Sequence, residues 1–375
     1  MSVFEDVLQF FGLVQSVPIP VNSFPSAYPD PFTADTKLQA ALNTAVANAE
    51  TRRSQTAGTF PIPFTIAEVT SGTPPFPMAG YHDSEVDYIA SEAKVAVMYA
   101  AFELRAMVRR FAAANPKISS TQILSQVAAV QNGLFLRAVP QLNAAKNITD
   151  VNRQPSYANV LAVSAAGVID FTSTYSTALQ QMIVPSSDSD AATCIHGLGY
   201  SYLNGALSAG GFITANSAGS TGLWVAGDYL FGKGWHYVRG VTSANDGPAA
   251  YAGTTQQMAR MVALISTGAL VDADSSNQME ALLSQAAQGV DSPWASRGTP
   301  GIPVANFVLN KLGLGPQGRG HQGPPQFRSE VSLIKDAAAA GHSYVVAWQN
   351  VLDPGPYTFD TDMAQVILDT LGTYE

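Results

Sequence analysis

One cysteine, Cys194, stands among 375 residues, which excludes an intramolecular disulfide and a multi-thiolate zinc site. Charge is scarce too: 13% of residues are Asp, Glu, Lys or Arg, about half the roughly 25% usual in soluble domains. The net charge is −9 and no Lys/Arg cluster interleaves with aromatics, so no nucleic-acid partner is expected. No apolar run reaches the roughly 18 residues of a membrane span, since Lys94, Glu103 and Arg105 interrupt the longest one. The amino terminus has early acidic residues, no basic n-region and no apolar h-region. The expectation is a cytoplasmic protein, or a secreted or periplasmic one if a leader has been removed. HExxH, GxSxG, P-loop and CxxC motifs are missing, and His82, His321 and His342 show no ligand spacing. No metal or cofactor is expected; the partner would be a small-molecule or peptide-like substrate, with the oligomeric state open.

What is present is 46% hydrophobic residues, enough to bury a large core. Pro18, Pro20, Pro25, Pro29 and Pro31 mark residues 1–37 as an irregular arm. Helical spacing follows at 38–54, then strand character at 60–69 and 76–81 and a long helix opening at Ser91. Residues 116–294 read as a helical lobe, with segments at 120–130, 160–183, 191–209, 254–267 and 276–288. Strand character returns at 303–309, 327–335 and 343–351, and a helix at 361–371 closes the chain. The expected α/β lobe therefore combines 38–115 with 295–375, one sheet being drawn from both chain ends, and a site would form where the two lobes meet.

Ser91-Glu92-Ala93-Lys94 heads the long helix. Residues three apart share a helix face, so the hydroxyl and the amine can enter one pocket. A lysine with its pKa lowered by burial can take the proton of a serine nucleophile. The competing reading is a capping serine beside a snorkelling lysine.

Two later segments keep company with it: Ser187-Asp188-Ser189, after Met182-Ile183, and Lys311-Leu312-Gly313, after the run Val304 to Leu309. Ser-x-x-Lys, Ser-Asp-Asn and Lys-Thr-Gly in this order form the set shared by class A β-lactamases and penicillin-binding proteins, and the chain resembles a divergent member of that superfamily. The resemblance implies antiparallel strands flanked by helices with an inserted all-helical lobe, and an acyl-enzyme on Ser91. Lys94 would act as base and Ser187 as proton carrier to the leaving group, while Ser189, Lys311 and Gly313 would hold substrate. Ser189 replaces the usual asparagine and Leu312 the usual threonine. The glutamate expected in the omega loop is missing between Gly222 and Gly253; an alignment on Trp235 and Asn245-Asp246 puts His236 at its position, where an imidazole base would sit.

These substitutions point to a serine hydrolase acting on an amide or ester, with weak or no β-lactamase activity. The alternatives are a catalytically silent binding protein of the same fold and a D,D-peptidase or transpeptidase of the cell wall. Ser187 also fits as a helix cap, Lys311 as an exposed strand-end lysine, and His236 as a structural or surface imidazole.

Overall fold

A six-stranded sheet is assembled from both ends of the chain. This computed structural model describes residues 27–138, 154–216, 219–230, 237–288, 306–316, 326–335, 341–353 and 362–374. Phe32–Ala34 (β1), Phe64–Glu68 (β2) and Phe76–Tyr81 (β3) come from one end, and Phe307–Pro316 (β13), Gln326–Lys335 (β14) and Ser343–Asp353 (β15) from the other. Their order is β1-β3-β2-β15-β14-β13. Only β1 runs parallel to its neighbour; the other pairings are antiparallel, with Ile66 opposite Val346 and Lys311 opposite Val331.

Alternation along the strands splits the core in two. Phe64, Ile66, Val346 and Trp348 face the helices Thr36–Arg52 (α1) and Asp362–Tyr374 (α10), meeting Leu38, Leu42, Val366 and Leu371. Thr65, Ala67, Val345 and Ala347 face the other way, and Thr65 bonds the Thr255 hydroxyl at 2.8 Å. Residues 1–26 of the expected arm lie outside the described residues. Within the remainder β1 forms, and Asp35 opens α1 by accepting from Leu38 N at 2.7 Å, a cap satisfying one of the free first-turn donors.

Asp87–Tyr88 (β4) leads into a 3-10 turn, Ala90–Ala93, and this into Lys94–Ala114 (α2). Every residue from Lys94 to Val108 is buried, as expected of a helix apolar on all sides. Ile123–Ala138 (α3) follows, then Tyr157–Val160 (α4), a hairpin of Leu161–Val163 (β5) and Ile169–Phe171 (β6), Ser173–Ile183 (α5), Asp188–Leu198 (α6) and Tyr200–Ala209 (α7). The helix expected over 160–183 is thus interrupted by a hairpin. That expected over 191–209 is two helices parted at Gly199, whose φ of 73° only glycine adopts without strain.

The lobe expected to be all-helical also carries short strands. Ile213–Asn216 (β7) pairs with Gly219–Gly222 (β8) and Val241–Ser243 (β10) with Gly247–Ala249 (β11). Tyr251–Gly253 (β12) lies between β4 and Trp224–Val225 (β9). Two helices complete the layer behind the sheet. Thr255–Ser266 (α8) is capped by Thr254, which accepts from Gln257 N at 3.1 Å, and Ala273–Gln288 (α9) follows it. No helix among the described residues is long and apolar enough to cross a membrane.

Candidate active site

Strand β13 meets the 3-10 turn through glycines. Lys311, Gly313 and Gly315 share one face of the strand. A Cβ on Gly313 would lie 2.5 Å from Ile89 O and 3.1 Å from Glu92 N, and one on Gly315 would lie 2.4 Å from the Tyr88 hydroxyl. Only bare backbone fits against the segment that carries Ser91. Leu312 points to the opposite face and is buried in the hydrophobic cluster to which α1 and α10 contribute, and it carries no hydroxyl.

The turn is held from three sides. Tyr88 N donates to Asn245 Oδ1 at 2.7 Å, the Ser329 hydroxyl to Ile89 O at 2.9 Å, and the Tyr229 hydroxyl to Ala90 O at 2.9 Å. Ala90 has φ 46°, a left-handed conformation that costs a non-glycine residue about 1–2 kcal/mol. Strain of this kind persists where surrounding contacts fix it, and here two side chains grip adjacent carbonyls. Ser91 follows, half-buried, on the turn and not within α2 as expected; its hydroxyl makes no hydrogen bond among the described residues.

Lys94 is fully buried. Its Nζ donates to Ser186 O at 2.6 Å, to Asp188 Oδ1 at 2.7 Å and to Ser186 Oγ at 3.3 Å, and lies 4.8 Å above the centre of the Tyr229 ring. Burial lowers its pKa, and Asp188 offsets the shift in part. Lys311, 1% exposed, donates to Ser186 Oγ at 2.8 Å and to Leu312 O at 2.9 Å. It lies inside β13, not at a strand end. Burial, with the like charge of Lys94, holds it well below the ordinary lysine value.

Both amines therefore converge on the oxygen of Ser186. With its lone pairs facing two N–H donors, the Ser186 hydroxyl directs its own proton away from them. The position expected for Ser187 is filled by Ser186, one residue earlier, at φ 63°. Ser187 instead caps α6: Asp190 N donates to its oxygen at 3.3 Å, and its hydroxyl bonds the Asp190 carboxylate. Ser189, expected to hold substrate, is exposed and bonds the Ser187 hydroxyl at 3.1 Å, and it is Asp188 that reaches the Lys94 amine. His236 lies outside the described residues, as does His321.

Four site residues escaped sequence reasoning. Ser186 and Asp188 were hidden by a one-residue ambiguity in Ser186-Ser187-Asp188-Ser189-Asp190, although Ser187-x-x-Asp190 is itself a capping pattern that frees Ser186 for another role. Tyr229, at φ 57°, is buried and stacks on Tyr251 at 4.1 Å, and the Tyr251 hydroxyl accepts from Tyr229 N at 2.7 Å. Nothing in the local sequence announces it. Glu92 is buried beneath the turn and neither carboxyl oxygen has a hydrogen-bond partner; burial, with Glu330 nearby, raises its pKa well above the carboxylate range.

Among the described residues no group of three His, Cys, Asp or Glu side chains is arranged for a metal. Cys194 is buried, and burial pushes its thiol up, away from reactivity.

No protein-family model matches the sequence, and no curated protein matches it either. Solved structures do resemble it. A β-lactamase from Sphaerobacter thermophilus is 14% identical, with a TM-score of 0.45 over 89% of this chain and 96% of that one. A class A β-lactamase from Mycobacterium abscessus is 13% identical, with a TM-score of 0.47 over 88% and 99%. A β-lactamase from Chitinophaga pinensis is 10% identical, with a TM-score of 0.46 over 90% and 97%.

Proposed function

We propose that the chain is a serine hydrolase that works through an acyl-Ser91 intermediate on an amide or ester, with weak or no β-lactamase activity. The observation that carries this reading is the convergence of two buried lysines on Ser186, one of them three residues after Ser91. Lys94, whose pKa burial lowers, first gives up a proton and then, as the neutral amine, takes the Ser91 proton as Oγ bonds the substrate carbonyl carbon. As the tetrahedral intermediate collapses, the Ser186 hydroxyl gives its proton to the departing nitrogen or oxygen and is reprotonated by a neighbouring ammonium. Water then attacks the acyl-Ser91 ester and releases the acid.

Deacylation is the slow half. The described group that faces Lys94 from the Asp228–Leu230 segment is the Tyr229 ring, which cannot deprotonate water at neutral pH; His236 is the candidate base.

A silent binding protein is the second reading, favoured by the engagement of Lys94 with Asp188 and by a Ser91 hydroxyl without a partner among the described residues. Incubation with a fluorophosphonate and, separately, with a penicillin, followed by intact-mass measurement, separates the readings. The expected result is a fluorophosphonate adduct that disappears in Ser91→Ala. No adduct with either electrophile overturns the hydrolase reading, and a penicillin adduct lasting for hours favours the D,D-peptidase.

A further inference from the structure

Three charged groups meet around Ser186, and only one of them is open to solvent. Lys94 is 0% exposed and Lys311 1%, whereas the side chain of Asp188 is 50% exposed. One of its oxygens takes the Lys94 ammonium at 2.7 Å; the other accepts no hydrogen bond among the described residues. An arriving substrate therefore meets a carboxylate edge, with the lysines behind it. That edge accepts and cannot donate. A substrate carbonyl placed there would oppose two electron-rich oxygens, while an ammonium or another cationic N–H donor would make a charge-assisted hydrogen bond, among the stronger kinds. The placement also sets the range. Asp188 touches the amine that the acyl-Ser91 reading assigns as the base for Ser91, so a cation bound there would lie within a few bonds of the reacting carbonyl.

Resting on the acyl-Ser91 reading, we infer that Asp188 selects substrates whose acyl part carries an ammonium, or another cationic N–H donor, close to the carbonyl under attack: aminoacyl-type amides or esters in preference to neutral or anionic ones. Asp188 is thus a specificity-determining residue as well as the partner of Lys94.

The test uses two alkyl fluorophosphonates of equal chain length, one ending in a primary ammonium and one in a hydroxyl. The second-order rate of adduct formation on Ser91 is read by intact mass for the wild-type chain, Asp188→Asn and Asp188→Glu. The wild type is expected to react roughly 10-fold or more faster with the ammonium probe, the scale of one charge-assisted hydrogen bond. Asp188→Glu keeps a preference and Asp188→Asn loses it. Because Asp188 also holds Lys94, absolute rates fall in both variants, and the ratio between probes is the readout. Equal rates in the wild type, or a preference that survives in Asp188→Asn, overturn the inference and leave the acyl-serine reading standing. Labelling of Ser91 by neither probe overturns both.

Discussion

Gly313→Ala probes how closely strand β13 supports Ser91, the proposed nucleophile. The added Cβ would lie 2.5 Å from Ile89 O, against an ordinary contact that starts at 3.4 Å, so strand and turn must part by 3.4 − 2.5 = 0.9 Å. The Ser329 hydroxyl, 2.3 Å from the new atom, can rotate, but only by releasing Ile89 O. The other close neighbours are backbone and cannot. Overpacking of this kind costs about 1–3 kcal/mol, and a displacement near 1 Å at a reacting centre costs roughly 100-fold in rate. The expected outcome is a modest fall in melting temperature with a fall of about two orders of magnitude in fluorophosphonate labelling of Ser91. Gly268→Ala is the control. That glycine, after α8, has φ +71° and open space around its would-be Cβ, so alanine there costs about 1–2 kcal/mol through backbone strain with labelling unchanged. If Gly313→Ala is labelled within about threefold of wild type, or if Gly268→Ala loses as much, the contact between β13 and the turn does not position Ser91.

Two further outcomes follow from the same contacts. Tyr229→Phe keeps the ring over Lys94 and removes the donor to Ala90 O; loss of about 1 kcal/mol of hydrogen bonding should slow labelling roughly fivefold, and labelling at the wild-type rate would show that the strained turn needs no such clamp. Asp87 is buried without a hydrogen-bond partner for either carboxyl oxygen, and burial, with the nearby charge of Glu85, pushes it up to about 7. A carboxyl raised in the folded state binds more protons there than in the unfolded chain, so its stability contribution is complete at low pH and is lost as pH rises towards 7. Asp87→Asn should therefore stabilise the protein by up to about 4 kcal/mol above pH 7 and by little near pH 4; denaturant unfolding at the two pH values checks this, and an equal effect at both would refute it.

The parts of this molecule that were legible in sequence are those whose signal is local or periodic. Strands β2, β3, β14 and β15 alternate or run apolar over several residues, which is enough to place them, whereas the three-residue β1 falls in the span read as an irregular arm and β13 extends well past the expected 303–309; the union of the two ends follows from the need of each half to bury a face. Ser91, Lys94, Lys311 and Gly313 stood out because their chemistry is carried by residue type and short spacing. The strands β5 to β12, two to four residues each, fall below the length at which periodicity can speak, so the middle of the chain read as helical throughout. Tyr229 and Glu92 owe their place to tertiary closure: one reaches the turn from a segment more than a hundred positions away, and the other is defined by having no partner once β13 closes over it.

Ser186 shows a third limit. Adjacent serines ahead of a helix are equivalent as letters, and a motif read by identity favours Ser187 because aspartate follows it. Helix geometry separates them, since the residue three before Asp190 is the one able to cap α6. The capping role removes Ser187 from the pocket, and the left-handed turn at Ser186 then aims the preceding hydroxyl at both lysines. The same shift brings Asp188 to Lys94, where Ser189 would have offered a neutral hydroxyl. A one-residue change in register thus replaces a neutral site edge with an anionic one, and with it the class of substrate that the site should prefer.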